Sequence, residues 1–280
     1  MKNNLLKTFI LNSLKEDIGD GDHSSLACIP EDAAGKAKLL IKEEGILAGC
    51  RIAKEVFRIV DRDLVFKQYI DDGSPVGSGD TAFHISGKSR SILKSERLVL
   101  NIMQRMSGIA TSTSLYTGRV KGLKTRILDT RKTAPGMRFI EKEAVRLGGG
   151  FNHRMGLFDM IMLKDNHIDY AGGIERAISK TQDYLRKNNL NLQVEIEARN
   201  LGDVSRILIK GGVNRIMLDN FNVSDTKAAV ALIDGRYETE SSGGITLETI
   251  RAYAECGVDF ISVGALTHHI NTLDMSLKAI

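Results

Sequence analysis

Tryptophan is absent from this 280-residue chain, and proline and cysteine occur three times each. Cys28, Cys50 and Cys256 are odd in number and far apart, with no CxxC or other metal-ligand spacing. Reduced structural thiols in a cytosolic protein are therefore expected, not a disulfide framework or a zinc site. No run of about 18 apolar residues exists, so no membrane span is expected. The first 16 residues carry Lys2, Lys7 and Lys15 and lack an uninterrupted apolar stretch, so they do not read as a signal peptide. An excess of one charge is also missing. The 39 Lys+Arg against 35 Asp+Glu leave +4, too little over this length to argue for nucleic acid. What is present is a hydrophobic fraction of 42%, which excludes a disordered chain. A chain of this length buries about 75% of its unfolded surface and needs no covalent or metal staple.

The first hundred residues read as a mixed α/β unit. Leu5, Leu6, Phe9, Ile10 and Leu14 recur at helical spacing, and Gly19-Asp20-Gly21-Asp22 ends the pattern. Short strands are predicted at 38–41, 64–70 and 81–85. A helix is predicted over 91–106, with an apolar stripe of Ile92, Leu93, Leu98, Leu100, Ile102, Met103 and Met106.

Beyond about residue 108, short β-rich runs alternate with helix-length segments. One marker per run, taken as Arg131, Lys164, Glu197, Asp219, Ser242 and Gly264, gives separations of 33, 33, 22, 23 and 22 residues. That is one strand plus one crossover helix, repeated, which implies a parallel sheet or (β/α) barrel. The expected division is 1–108 and 109–270, closely packed, with 271–280 left open to rejoin the first part. In such barrels the chemistry sits at the C-terminal strand ends.

Those ends are rich in reactive side chains. Arg131, Lys132, His153, Arg154 and Lys164 fall in loops on one predicted rim, with Gly148-Gly149-Gly150 allowing close backbone approach. Five cationic side chains around one cavity repel unless an anion sits there, and mixed Arg and Lys use suggests a polyanion. In Gln193-Val-Glu195-Ile-Glu197-Ala the acids share one face, where they are costly unless they meet cations, metal or hydroxyls. The competing reading for Glu195 is a solvated edge strand. Glu197 with Asp219 suits ribose hydroxyls or Mg²⁺. Ser242-Gly243-Gly244 and Gly264-Ala265, in the last two units, offer backbone N–H groups at helix starts for a phosphate. Together these features fit a phosphorylated sugar and a carboxylate acid as substrates.

Several ordered motifs recur in one family. They include Glu96-Arg97, Asp129-Thr130-Arg131-Lys132-Thr133, Gly148-Gly149-Gly150 with Asn152-His153-Arg154, and Lys164-Asp165-Asn166-His167. Glu195-Ile-Glu197, Met217-Leu-Asp219-Asn220-Phe221, Ser242-Gly243-Gly244-Ile245 and Ser262-Val-Gly264-Ala265-Leu266-Thr267 follow in the same order. On these the chain resembles the quinolinate phosphoribosyltransferase family over nearly its whole length. The stretch 21–25 and the step Ala198-Arg199 depart from the commonest pattern without touching a residue assigned to chemistry.

The resemblance implies an N-terminal α/β sandwich followed by an incomplete, TIM-like α/β barrel, assembled as a homodimer or as dimers of dimers. It implies transfer of phosphoribosyl from phosphoribosyl pyrophosphate to quinolinate with Mg²⁺ and loss of CO₂, on the route into NAD. Arg131, Lys132, His153, Arg154 and Lys164 would bind the quinolinate carboxylates and pyrophosphate, with Arg97 supplied by the neighbouring subunit. Glu197 and Asp219 would hold the ribose hydroxyls and Mg²⁺. Ser242, Gly243, Gly244, Gly264 and Ala265 would hold the 5′-phosphate. Lys132 and Lys164 are the candidates for an acid. Competing readings are a molybdenum-transport-associated paralogue with another acid substrate, a non-catalytic phosphosugar-binding barrel, and a Schiff-base aldolase using Lys164.

Overall fold

The computed structural model describes residues 2–280. In chain order its elements are α1 (Lys2–Ile18), α2 (His23–Cys28), β1 (Ala34–Ile41), β2 (Gly45–Ile46), α3 (Cys50–Val60), β3 (Val65–Gln68), β4 (Pro75–Val76), β5 (Thr81–Lys88) and α4 (Ser89–Arg119). There follow β6 (Arg126–Leu128), α5 (Arg138–Leu147), β7 (Ile161–Leu163), α6 (Asp165–Ala171), α7 (Ile174–Lys187), β8 (Val194–Ala198), α8 (Leu201–Lys210) and β9 (Arg215–Asp219). The chain closes with α9 (Val223–Ile233), β10 (Glu238–Ser242), α10 (Ile250–Glu255), β11 (Phe260–Ser262), α11 (Ala265–His268) and β12 (Met275–Ala279).

These elements form two compact units. The first takes the described residues up to 114, 135–149 and 269–280; the second takes 115–134 and 150–268. The division differs from the expected one in two ways. The helix predicted over 91–106 continues to Arg119, because Ile109, Ala110, Thr113 and Tyr116 extend its buried face. Gly108 does not break it: a Cβ there would lie 2.2 Å from Asn271 O, so this glycine serves close packing. The second difference is the segment 135–149 with α5, which joins the first unit, where Arg105 Nη2 donates to buried Glu141 Oε1 at 2.6 Å.

The first unit is built on an antiparallel sheet of order β12-β1-β5-β3, so the last strand does return to it. Phe57, Phe66 and Phe83 meet at its core with ring centroids 4.5–6.0 Å apart. On α3, Ile52, Ala53, Val56 and Phe57 make the buried stripe, and Asp72 accepts from the Cys50 and Arg51 N–H groups at the helix start. From α1, Leu6, Ile10 and Leu14 face inward while Leu5 is exposed; Leu93 likewise lies outside the α4 stripe.

The second unit carries one parallel sheet of order β6-β11-β10-β9-β8-β7. In chain order these are barrel strands 1-6-5-4-3-2, with β6 and β7 at its two edges; the outer side of β6 carries only an isolated parallel bridge from Leu128 to Phe151. Helices α6 to α10 pack side by side in sequence. Val194, Ile196, Ala198, Ile216, Leu218 and Ile261 are buried on alternate positions of their strands, as the period of two requires. The barrel is thus incomplete, and all the inward-facing chemistry below belongs to this second unit. Cys28 is exposed, Cys50 buried and Cys256 half-buried, all three unpaired. Among the described residues, no helix is long and apolar enough to cross a membrane.

Candidate active site at the C-terminal strand ends

The second alternate set on each strand points into the unit. It comprises Met162 and Lys164, Glu195 and Glu197, Arg215, Met217 and Asp219, Glu240 and Ser242, and Ser262 and Gly264. Parallel register sets Glu197 beside Met217 and Asp219 beside Ser242. Their C-terminal members line a cavity of about 700 Å³, together with Arg131, Lys132, His153, Arg154, Asn220, Gly243, Gly244, Ala265 and His268. Every site residue expected from sequence is therefore present in this one cavity except Arg97, which is exposed on α4 in the first unit. A second hollow of about 520 Å³, near Gln182, Val194 and Asn214, lies at the N-terminal strand ends, away from these groups.

The two acids are held differently. Glu197 is buried, and both its oxygens accept protein donors: Lys164 Nζ at 2.9 Å on Oε1 and the Asp165 N–H at 3.0 Å on Oε2. Asp219 is half-buried, with Oδ2 accepting from Asn220 Nδ2 at 2.9 Å. Burial, and then the charge of Glu197, hold the Asp219 carboxyl above the usual range. Mutual repulsion of two carboxylates beside one cavity is relieved by a cation. Oxygen donors of this kind, with waters and ligand phosphates, are what Mg²⁺ takes, so the residues fit that ion.

The cations follow the loops after β6 and before β7. Arg131 and Lys132 are exposed, and the Lys132 carbonyl accepts from Thr267 Oγ1 at 2.7 Å. Arg154 is half-buried and donates from Nη1 to Met160 O at 3.1 Å. Burial, and then the charge of Arg131, lower its pKa, although a guanidinium remains charged at any working pH.

His153 reaches the cavity lining but is held between two buried acids. Its side chain is 4% exposed, and Nε2 lies 2.9 Å from Glu195 Oε2 and 3.4 Å from Glu240 Oε2. Its Nδ1 accepts the Arg154 N–H at 2.6 Å. Burial alone would lower its pKa, but the two glutamate carboxylates, as acceptors facing Nε2–H, prevail and push it up to about 9. Glu195 shifts upward, from burial and the nearby Glu240 charge; Glu240, though buried, is held down by His153, Ser262 and Arg215. The edge-strand alternative for Glu195 fails, because β8 is paired on both sides and Glu195 is fully buried. His153, Glu195 and Glu240 place three donor atoms within 4.8 Å of one another. They do not fit a metal, since Nε2 holds a proton and Arg215 Nη1 already lies 3.0 Å from Glu240 Oε2.

The glycine cradle also differs in detail from expectation. The helix after Gly243-Gly244 starts only at Ile250, so the N–H groups there come from a loop and not from a helix N-terminus. Gly243 has φ +98°, and a Cβ on it would lie 2.2 Å from Asn220 Oδ1. Successive left-handed glycines form a concave nest of N–H groups suited to an anion. Sequence reading assigned nothing to Glu240, Asn220 or His268. Glu240 was discoverable: it is in phase with Ser242 on its strand.

A half-open parallel barrel whose strand ends combine cations, paired carboxylates and a glycine nest defines a class: α/β-barrel sites for a phosphorylated, multiply anionic ligand. Residues 22–107 match "Quinolinate phosphoribosyl transferase, N-terminal domain" and residues 109–278 match its C-terminal domain. The chain belongs to the quinolinate phosphoribosyl transferase family. It is 46% identical over 288 residues to a quinolinate phosphoribosyltransferase [decarboxylating] of Nicotiana tabacum, covering 98% of this chain and 82% of that one. It is 40% identical to the probable nicotinate-nucleotide pyrophosphorylase [carboxylating] of Bacillus subtilis, covering 97% and 92%. The solved nicotinate-nucleotide pyrophosphorylase from Francisella tularensis superposes with a TM-score of 0.93 at 40% identity, covering 99% of this chain and 97% of that one.

Proposed function

We propose that this protein transfers phosphoribosyl from phosphoribosyl pyrophosphate to quinolinate with decarboxylation, giving nicotinate mononucleotide, pyrophosphate and CO₂. The observation that carries this is the single cavity joining Arg131, Lys132, Arg154 and Lys164 to Glu197, Asp219 and the Gly243-Gly244 nest, in a chain of this family.

The residues divide the work by chemistry. Arg131, Lys132 and Arg154 offset the charges of the dicarboxylate and the pyrophosphate and align the ring nitrogen on the anomeric carbon. Ser242, Gly243, Gly244, Gly264 and Ala265 hold the 5′-phosphate. Glu197 and Asp219 hold the ribose hydroxyls and stabilise positive charge developing on the ribose as the C–O bond breaks. They would also hold Mg²⁺, which supplies charge neutralisation for the departing pyrophosphate. Lys164 keeps Glu197 oriented and sits where it can reach an anionic oxygen. Once the C–N bond has formed, the cationic ring nitrogen stabilises the electron pair left at the adjacent carbon as CO₂ departs. That carbon then takes up a proton.

Arg97, exposed on α4, would serve the cavity of a second copy in a homodimer. The three unpaired cysteines support a cytoplasmic location. The test is incubation of the pure protein with Mg²⁺, phosphoribosyl pyrophosphate and either quinolinate or nicotinate. Nicotinate mononucleotide from quinolinate alone is expected; product from nicotinate alone, or none from quinolinate at any concentration, overturns the proposal.

A further inference from the structure

We infer that Glu195, which does not line the cavity, is a positioning residue: with Glu240 and Arg215 it locks His153, and His153 in turn fixes Arg154 against the substrate carboxylate. The inference deepens the proposed function and rests on that reading. It adds a positioning role for His153, which also lines the cavity.

Four charged side chains pack together at the cavity floor, His153 and Glu240 in its lining and Glu195 and Arg215 behind them. Glu195 and Glu240 are fully buried, His153 is 4% exposed and Arg215 is 13% exposed. Arg215 reaches Glu240 from below and also bonds Glu238 at 3.1 Å, while its guanidinium stacks 3.9 Å from the Phe260 ring. Arg215 is thus held on three sides, and it anchors Glu240. The two glutamates, on β8 and β10 with β9 between them, both lie against Nε2 of His153, at 2.9 and 3.4 Å.

The other side of His153 faces Arg154. Its Nδ1 accepts the Arg154 backbone N–H, and its own N–H donates to fully buried Asp129 at 2.8 Å. Asn152 also donates to Asp129, at 2.6 Å. Residues 152–154 belong to no helix or strand, so these side chains do for Arg154 what regular hydrogen bonding does elsewhere. Nδ1 thus serves Arg154, while Nε2 is buried against the two glutamates.

A double-mutant cycle read by calorimetric binding of quinolinate tests this. Glu195→Gln keeps shape and removes charge from a group outside the cavity. It is expected to weaken quinolinate about tenfold, within the range for contacting residues, with ribose 5-phosphate binding unchanged within twofold. In an Arg154→Ala background, Glu195→Gln should add less than a twofold further loss. His153→Asn, which retains an acceptor for the Arg154 N–H but loses the glutamates, is the second variant; it should show the same non-additivity even if Glu195→Gln misfolds. Unchanged quinolinate affinity, or an equal tenfold loss with Arg154 already removed, overturns the inference. Failure of the unmutated protein to bind quinolinate would instead sink the proposed substrate.

Discussion

Replacing Lys164 by methionine removes the ammonium 2.9 Å from Glu197 Oε1 and leaves that buried carboxylate with only the Asp165 N–H. Breaking a fully buried pair costs about 3–5 kcal/mol, and breaking an exposed one about 0–1 kcal/mol. Glu197 is 7% exposed and Lys164 48%, so the pair falls between, at about 1–2 kcal/mol. A chain of this size then loses roughly 2–6 °C in Tm. The decisive comparison adds Glu197→Gln to Lys164→Met. Neutralising the orphaned acid should recover most of the lost Tm while activity stays abolished, because the proposed function uses both groups. Calorimetric melting at pH 7 with a parallel turnover assay reads both quantities. An unchanged Tm in Lys164→Met, or a further fall in the double variant, would refute the reasoning.

Three further outcomes are expected. Gly243→Ala sets a methyl against Asn220 at a φ that L-residues rarely adopt, and should weaken ribose 5-phosphate at least tenfold in a binding assay. The folded-state pKa of His153 is raised, so its contribution to stability is complete below about 6.5 and lost as pH climbs through about 9. Urea unfolding at pH 6.5 and 9.5 should show a decline of at most about 3 kcal/mol, flattened in His153→Asn. If Arg97 serves a second copy, inactive Arg97→Ala and Lys164→Ala proteins should regain activity on mixing and reassociation; no recovery would exclude that arrangement.

The barrel was legible because each unit declares itself twice, in strand length and in the polar residue ending the strand. Alternation in Glu195-Ile-Glu197 disclosed that both acids point inward, but not that one meets Lys164 at the rim and the other His153 in the core. That difference arises from strand stagger: Glu195 registers with Arg215, Glu197 with Met217. The glycine nest was readable as an anion site, but its loop origin was not, since nothing in Thr246-Leu-Glu-Thr249 delays a helix by composition alone. The length of α4 was not legible in the same way: it runs through Gly108 to Arg119, and Asn271, distant in sequence, leaves no room for a side chain at Gly108. His153 read as one more cation because its partners, Glu195 and Glu240, lie 42 and 87 positions further along the chain.

The central claim is that substitution at the anomeric carbon and loss of one carboxylate occur together in one cavity. Quinolinate labelled with ¹⁴C in the carboxylate beside the ring nitrogen, incubated with phosphoribosyl pyrophosphate and Mg²⁺, tests it directly. Labelled CO₂ and pyrophosphate should appear in equal amounts, and neither should form with Asp219→Asn. Pyrophosphate released without labelled CO₂, or label retained in the nucleotide product, would contradict the account.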